Sequence, residues 1–513
     1  MSPHSLATSS DSSLNRQVAL QWLLGASLVF APLFRSGKPA LAVLALEVLA
    51  ITILVLVLWK PRTGLLNRWE GLALGLLLAV PLIYLIPTPD WLAAWLPGRE
   101  PYLAARALAG VPEVAAAPRL SIYPLDTESA LLFLLVPVGV FLGVRTLDAE
   151  RVTQLVLLLL WIGSAQALLG LLQYGADAGS PAFLGLTVPD ISRAQGTYTN
   201  PDHLSGLLEM LLPIALALLF YSVGRGDRDR KRALRERIAF IGSLRGHTAI
   251  LYGAIALLLL VGLIFARSRA GIALGMLAVL CSTLMFARRI GGDNVFGLTG
   301  TLIALALGSG IAIGLVPVLD RFSVEGAVSD ARWSIYSATL DGIGTFSPLG
   351  SGPGTYPDVF PAFQPLELGR WFINHAHNDY LEWLFEGGLL AAVLIALFAV
   401  LYARSWLKVW TWEAWSRFRF TQVGAGIGIL LLLLHSLVDF NLHVPANVVY
   451  LAFLVGVFFA RPASEAGPVR RRGERTAARQ KSEPESPTPQ TSRVRRHVPP
   501  PPDQIRNPFL DGD

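Results

Sequence analysis

The chain has 513 residues, of which 53% are hydrophobic and 15% charged, with a formal net charge of +6. Soluble domains carry about a quarter charged residues, so this composition excludes an ordinary water-soluble enzyme and places most of the chain in lipid. The positive balance falls in short connections and the C-terminal tail, where membrane topology accounts for it without nucleic acid, and the one cysteine, Cys281, excludes an intramolecular disulfide.

Residues 1–16 form a polar, Ser-rich N-terminal tail, and no small-residue cleavage site follows the first apolar run, so the first span is expected to stay uncleaved. A membrane-crossing helix needs roughly 20 apolar residues. Such stretches predict spans near 17–34, 40–59, 69–87, 127–144, 152–173, 203–222, 248–266, 271–287, 297–318, 387–406, 421–437 and 445–460. The expected fold class is therefore an all-α polytopic membrane protein with about 12 transmembrane helices over 17–460. An even count puts both termini on one side, and the positive charges decide which side that is. Lys60, Arg62, Arg68, Arg145, Arg151, the basic run 225–237, Arg288, Arg289, Arg404, Lys408, Arg417 and Arg419 fall on one face, with the tail. That face is expected to be cytoplasmic. Arg35 and Lys38 fall on the opposite face, against the rule. The tail, 461–513, is rich in Pro, Ser and Arg, has little apolar content and is expected to be a disordered basic cytoplasmic segment.

The other face receives the connections 88–126, 174–202 and 319–386, the last being a large extracytoplasmic loop between spans nine and ten. Three outward segments are dense in polar groups. In the first, Arg193 leads a turn ending in Asn200-Pro201-Asp202, a good N-terminal cap for the sixth span. In the second, Arg267-Ser268-Arg269 links two spans. Arginines snorkel at a lipid boundary, but two of them on the face where positive charge is disfavoured argue for an anionic ligand. The third holds Arg332-Trp333, a run with glycines at 350, 352 and 354, and Asn374-His375-Ala376-His377-Asn378-Asp379-Tyr380-Leu381-Glu382 followed by Glu386. The glycine run would let backbone amides approach a phosphate, but it lacks the strand–helix setting of a nucleotide fingerprint.

His375 and His377 with a nearby carboxylate suggest a metal only weakly, because no third strong ligand stands at a recognised spacing; no metal is expected. A histidine there suits removal of a proton from a hydroxyl at neutral pH, with Asp379 or Glu382 orienting the ring. His435, Asp439, Asn441 and His443 form a further outward cluster, expected to stand behind the first. Arginine binds phosphate bidentately and keeps its charge, which fits stabilisation of a departing pyrophosphate.

The ordered set Arg193-Ala-Gln-Gly196 with Asn200-Pro201-Asp202-His203-Leu204, Ser268-Arg269-Ala270-Gly271, Arg332-Trp333, the glycine run and His377-Asn378-Asp379-Tyr380-Leu381 with Glu386 and Gly388 resembles the bacterial O-antigen ligase and polymerase family, from about residue 17 to 460. The resemblance implies a glycosyltransferase of the bacterial inner membrane that uses no metal, cofactor or nucleotide sugar. It would carry glycan from an undecaprenyl-pyrophosphate donor to a lipid or glycan acceptor at the outer leaflet. Carried over, His377 is the base, and Arg193 and Arg269 bind the pyrophosphate, with Arg332 and Arg267 beside them. His375, Asn378, Asp379 and Glu386 support. The chain has Asp202 where the family often has Asn, and Ala391 where it often has Gly; neither touches this chemistry. An inverting single displacement is expected, since no side chain stands out as a covalent nucleophile. The rival reading, a transporter of polysaccharide or a small anion, expects charges inside the spans, and these are read as nearly free of charge apart from Glu47. A third reading is a scaffold for envelope assembly acting through the basic tail.

Overall fold

The computed structural model describes residues 3–59, 64–108, 118–177, 179–185, 191–224, 239–290, 292–313, 331–411 and 415–460. The basic run 225–237, Lys60, Arg62, the beginning of the loop 319–386 and the tail lie outside the described residues. Thirteen helices organise the rest: α1 Pro3–Phe30, α2 Ala40–Trp59, α3 Arg68–Tyr84, α4 Pro124–Thr146, α5 Ala149–Gln173, α6 Pro201–Val223, α7 Leu244–Ala266, α8 Arg269–Ile290, α9 Gly292–Ile313, α10 Arg332–Phe346, α11 Asp379–Trp410, α12 Arg417–His435 and α13 Pro445–Phe458. No strand forms among the described residues, whose one β-type pairing is the isolated bridge Pro87–Arg119. The protein is an all-α polytopic membrane protein.

Every expected span has a helix at its position. Among the described residues, nine helices (α2, α4 to α9, α11 and α12) are long and apolar enough to cross a membrane. The 17-residue α3 and the 14-residue α13 fall short of that length, and the side chains of α1 are described only from Leu14 on. α10 stands outside the set of expected spans and belongs to the large loop.

Sequence chemistry sets the helix starts. The Asn200 side chain accepts from the Asp202 amide at 2.9 Å, and Pro201 takes the first helical position of α6. The Asn378 side chain accepts from the amides of Tyr380 and Leu381 at 3.0 and 3.1 Å. Beyond its polar first turns α6 is apolar on almost all sides, the pattern of an enclosed helix, and 89% of its apolar stretch is buried against 28% for the peripheral α2. It packs against α7, α8 and α12. Gly424 of α12 lets the α12 backbone close on α6, since a Cβ there would stand 2.8 Å from the Ile214 Cα.

Polar groups concentrate at the two ends of the bundle. At one end Arg145 pairs with Glu70 at 3.3 Å and donates to the carbonyls of Leu65 and Phe459. The other end gathers the starts of α6, α8, α11 and α13 and the ends of α7 and α12. One expectation needs correction here. The spans are not charge-free apart from Glu47: Glu209 lies inside α6, fully buried, and meets the buried His435 Nδ1 at 3.0 Å. An ionisable group in a membrane helix is costly enough to need such a partner. Glu209 lies eight residues from the helix start, about 12 Å at the rise of an α-helix, so the pair sits beneath the polar end rather than at the bilayer centre.

A second, smaller core of Ile335, Phe346, Tyr356, Phe360, Ala376 and Phe385 seats α10 and the glycine run against the start of α11. Gly350, at φ +78°, lies so close to the Glu386 carbonyl that a Cβ has no room there.

Candidate active site

The link before α11 carries His377 in the left-handed region, at φ +51°. Non-glycine residues rarely adopt that conformation, and when they do it is often at functional sites. Three contacts hold it. The Tyr336 hydroxyl of α10 donates to the His377 carbonyl at 2.8 Å. Asn378, besides capping α11, donates to the Leu437 carbonyl at 2.9 Å. The His377 ring lies edge-on to Phe440, with its Nδ1 3.3 Å from Asp439 Oδ1. That leaves Nε2 as the nitrogen that does not face Asp439.

Asp439 is the centre of the cluster. It is buried, its Oδ1 accepts from the Phe440 amide at 2.9 Å, and His203 Nε2 stands 3.7 Å away, an ion-pair rather than hydrogen-bond distance. Burial works to raise its pKa, but the His203 and His377 rings outweigh it and hold the carboxyl well below the usual range. Lys38 approaches from the link between α1 and α2, with its ammonium 5.2 Å from the Phe440 ring centre. Burial lowers the Lys38 pKa, while the Asp439 charge pulls it the other way.

The arginine side of the cluster is knitted together by backbone carbonyls. Arg193 is buried; it donates from Nε to the Ala266 carbonyl at 2.9 Å and from a terminal nitrogen to Asp202 at 2.7 Å. Asp202 also takes a hydrogen bond from Ser268, the residue before Arg269, and stands in the electrostatic field of Asp439. Arg267 caps α7 at φ +53° and donates to the Ser192 carbonyl at 3.2 Å. Arg269 opens α8 half-buried, and Arg332 opens α10 four residues before Tyr336. Hydrogen bonds tie Arg193 and Ser268 to Asp202, and His377 stands beside Asp439; the two carboxylates feel each other only through their charges, with Arg269 one residue from Ser268 and Arg332 one helical turn from Tyr336.

The supporting residues divide into two groups. His375 Nδ1 lies 2.8 Å from Glu382 Oε1, and Glu382 Oε2 accepts from the Ala376 amide at 2.8 Å. His443 bridges two carboxylates, with Nδ1 2.8 Å from Asp379 and Nε2 3.3 Å from Glu382. Glu386 makes its hydrogen bonds to the glycine run and Tyr356. Its side chain accepts from the Tyr356 amide at 2.9 Å, its carbonyl takes the Gly352 amide at 2.8 Å, and the Gly354 amide bonds its carboxyl group. The amides of Gly352 and Gly354 are thus engaged within the fold.

The fold supplies what linear spacing lacked, a third strong ligand. His375, Glu382 and His443 place their ligating atoms within 4.8 Å of one another, close enough to hold a metal ion. As they stand, the Glu382 charge is answered by the two imidazoles. His443 carries a pH consequence. Burial alone would lower its pKa, but Glu382 and Asp379 raise it to about 10. A raised folded-state value contributes stability that is fully present below the unfolded value of about 6.5 and is lost as pH rises through about 10. Thermal stability is expected to fall across that window, and His443→Gln to flatten the slope; equal slopes in thermal scans from pH 6 to 10 contradict it.

Sequence reading missed Lys38 and ranked Asp439 behind the first cluster. Lys38 did leave a signal, its position on the face where lysine is disfavoured. Asp439 left its own signal in the outward cluster 435–443, but none that pairs it with His377, 62 residues away. Residues 254–396 match the O-antigen ligase family model. The matched segment runs from α7 into α11 and contains Arg267, Arg269, Arg332, His375, His377, Asn378, Asp379 and Glu386. No curated protein matches the chain.

Proposed function

We propose that this chain, a multi-pass membrane protein whose match over 254–396 supports the O-antigen ligase/polymerase family, transfers a glycan from undecaprenyl pyrophosphate to an acceptor hydroxyl. The match itself supports an O-antigen ligase or polymerase role in polysaccharide biosynthesis, with a lipid-linked glycan donor and an acceptor in a membrane. The observation that carries the finer reading is the polar end of the bundle, which holds both a histidine beside a buried aspartate and, at the starts and ends of the neighbouring helices, buried and half-buried arginines.

In this mechanism the acceptor hydroxyl gives its proton to His377 Nε2 as its oxygen attacks the anomeric carbon. The bond from that carbon to the pyrophosphate oxygen breaks in the same displacement, which inverts the anomeric configuration. Arg193 and Arg269 take the charge that grows on the departing undecaprenyl pyrophosphate, and Arg267, Arg332 and Lys38 add to the field. Fixed guanidinium charges in a site partly shielded from water stabilise such charge more strongly than water does. Asp439 holds the His377 ring and stabilises the imidazolium that forms. His375, Glu382 and His443 are read as a self-neutralised group that shapes the link to α11, so the reaction needs no metal. By the positive-inside rule the cluster end faces the outer leaflet of the bacterial inner membrane, with both termini cytoplasmic.

Arg193→Ala and Arg269→Ala are each expected to cut transfer at least ~10²-fold, the scale seen when one charge-stabilising donor is removed. EDTA is expected to leave the rate unchanged. The assay is transfer by purified protein from a defined lipid-linked donor, offered a core lipid or a second lipid-linked repeat. Loss of activity to EDTA with recovery on adding a divalent ion overturns the metal-free mechanism. Full activity of both arginine variants overturns the pyrophosphate assignment.

A further inference from the structure

A second polar site lies at the opposite end of the bundle. There the end of α6 and the start of α7 meet the end of α8 and the start of α12 around a cavity of about 450 Å³. Three arginines on three different helices line it: Arg245, Arg289 and Arg417. Two of them are held in place. The Arg289 guanidinium lies 4.5 Å from the Trp415 ring centre and 5.2 Å from that of Trp410, and donates to the Trp410 carbonyl at 3.1 Å. Arg417 donates to the Tyr252 hydroxyl at 2.7 Å. The hydroxyls of Ser222 and Thr248 also line the cavity, and no carboxylate does among the described lining residues.

Arginines fixed by stacking and by single hydrogen bonds keep donors for a ligand, and with three arginines and no carboxylate among its described lining residues the cavity suits an anion. The cavity also has an apolar wall, formed by Ile290 and Phe420. α7 has 23 residues, so its two ends stand about 34 Å apart, roughly the thickness of a bilayer core. Its first turn therefore lies at headgroup level, where tryptophans such as Trp410 and Trp415 concentrate. A phosphate among the arginines with acyl chains along the apolar wall fits this arrangement, as in other basic pockets between membrane helices.

We infer that this cavity binds the phosphate headgroup of an anionic phospholipid in the leaflet opposite the active-site cluster. The inference does not depend on the glycosyl-transfer reading. The experiment uses full-length purified protein and native mass spectrometry, or competition in mixed micelles, with phosphatidylglycerol and phosphatidylcholine as probes. Phosphatidylglycerol is expected to be retained selectively, to bind about tenfold more weakly for each of Arg289→Gln and Arg417→Gln, and to resist millimolar inorganic phosphate. If those variants fail to fold, the exposed Arg245→Gln serves in their place with the same expected direction. Equal retention of the two lipids, or unchanged binding in the variants that fold, overturns the inference. Displacement by inorganic phosphate alone overturns the lipid assignment in favour of a free-phosphate site.

Discussion

His377→Asn is expected to lower glycan transfer by ~10²–10⁴-fold, the usual contribution of a positioned general base, while the protein stays folded. The separation of the two effects follows from the backbone. At φ +51° residue 377 needs a side chain that tolerates the left-handed region, and asparagine does so. Asparagine has no basic nitrogen with which to take a proton. His377→Ala is expected to lose the same activity and, in addition, about 1 kcal/mol of stability, because alanine is poorly accommodated there. Paired transfer assays and thermal scans check both. An Asn variant with more than a tenth of the original rate removes His377 from the reaction.

Asp439→Asn is expected to lower the turnover rate by ~10²-fold or more with little change in the donor KM, since Asp439 acts through His377. Asparagine keeps the shape but removes the charge that stabilises the imidazolium. A merely structural role would leave the rate largely intact once the folded fraction is corrected for. The substitution also takes the counter-charge from Lys38, with an expected stability loss of about 1–3 kcal/mol. Adding Lys38→Met is expected to recover part of that stability but none of the rate. Recovery of rate in the double variant contradicts the role given to Asp439.

The spans were legible in the sequence because each is a local hydrophobic run, and the start of α6 was marked besides by the Asn200 cap. Sidedness is read from arginine and lysine placement alone. The two residues that break the rule, Arg35 and Lys38, mark a segment of the link between α1 and α2 where Phe34, Arg35 and Ser36 all have positive φ. Lys38 follows directly and reaches the Phe440 ring beside Asp439, so the lysine that the charge rule left out of place packs against the cluster. The partnerships were not legible, because they are made by packing. Nothing in the spacing pairs His377 with Asp439, His435 with Glu209, or His443 with Asp379. The glycine run had the composition of a phosphate cradle, yet two of its amides, from Gly352 and Gly354, are engaged by Glu386, a choice only the folded chain discloses.

If His377 and the arginines transfer a glycan from a lipid pyrophosphate, the reaction is visible in single-turnover transfer by the purified protein from a lipid-pyrophosphate glycan of known anomeric configuration. One equivalent of undecaprenyl pyrophosphate is expected per bond formed, together with an inverted linkage, both absent in His377→Asn. A retained configuration, or undiminished transfer by that variant, contradicts this mechanism.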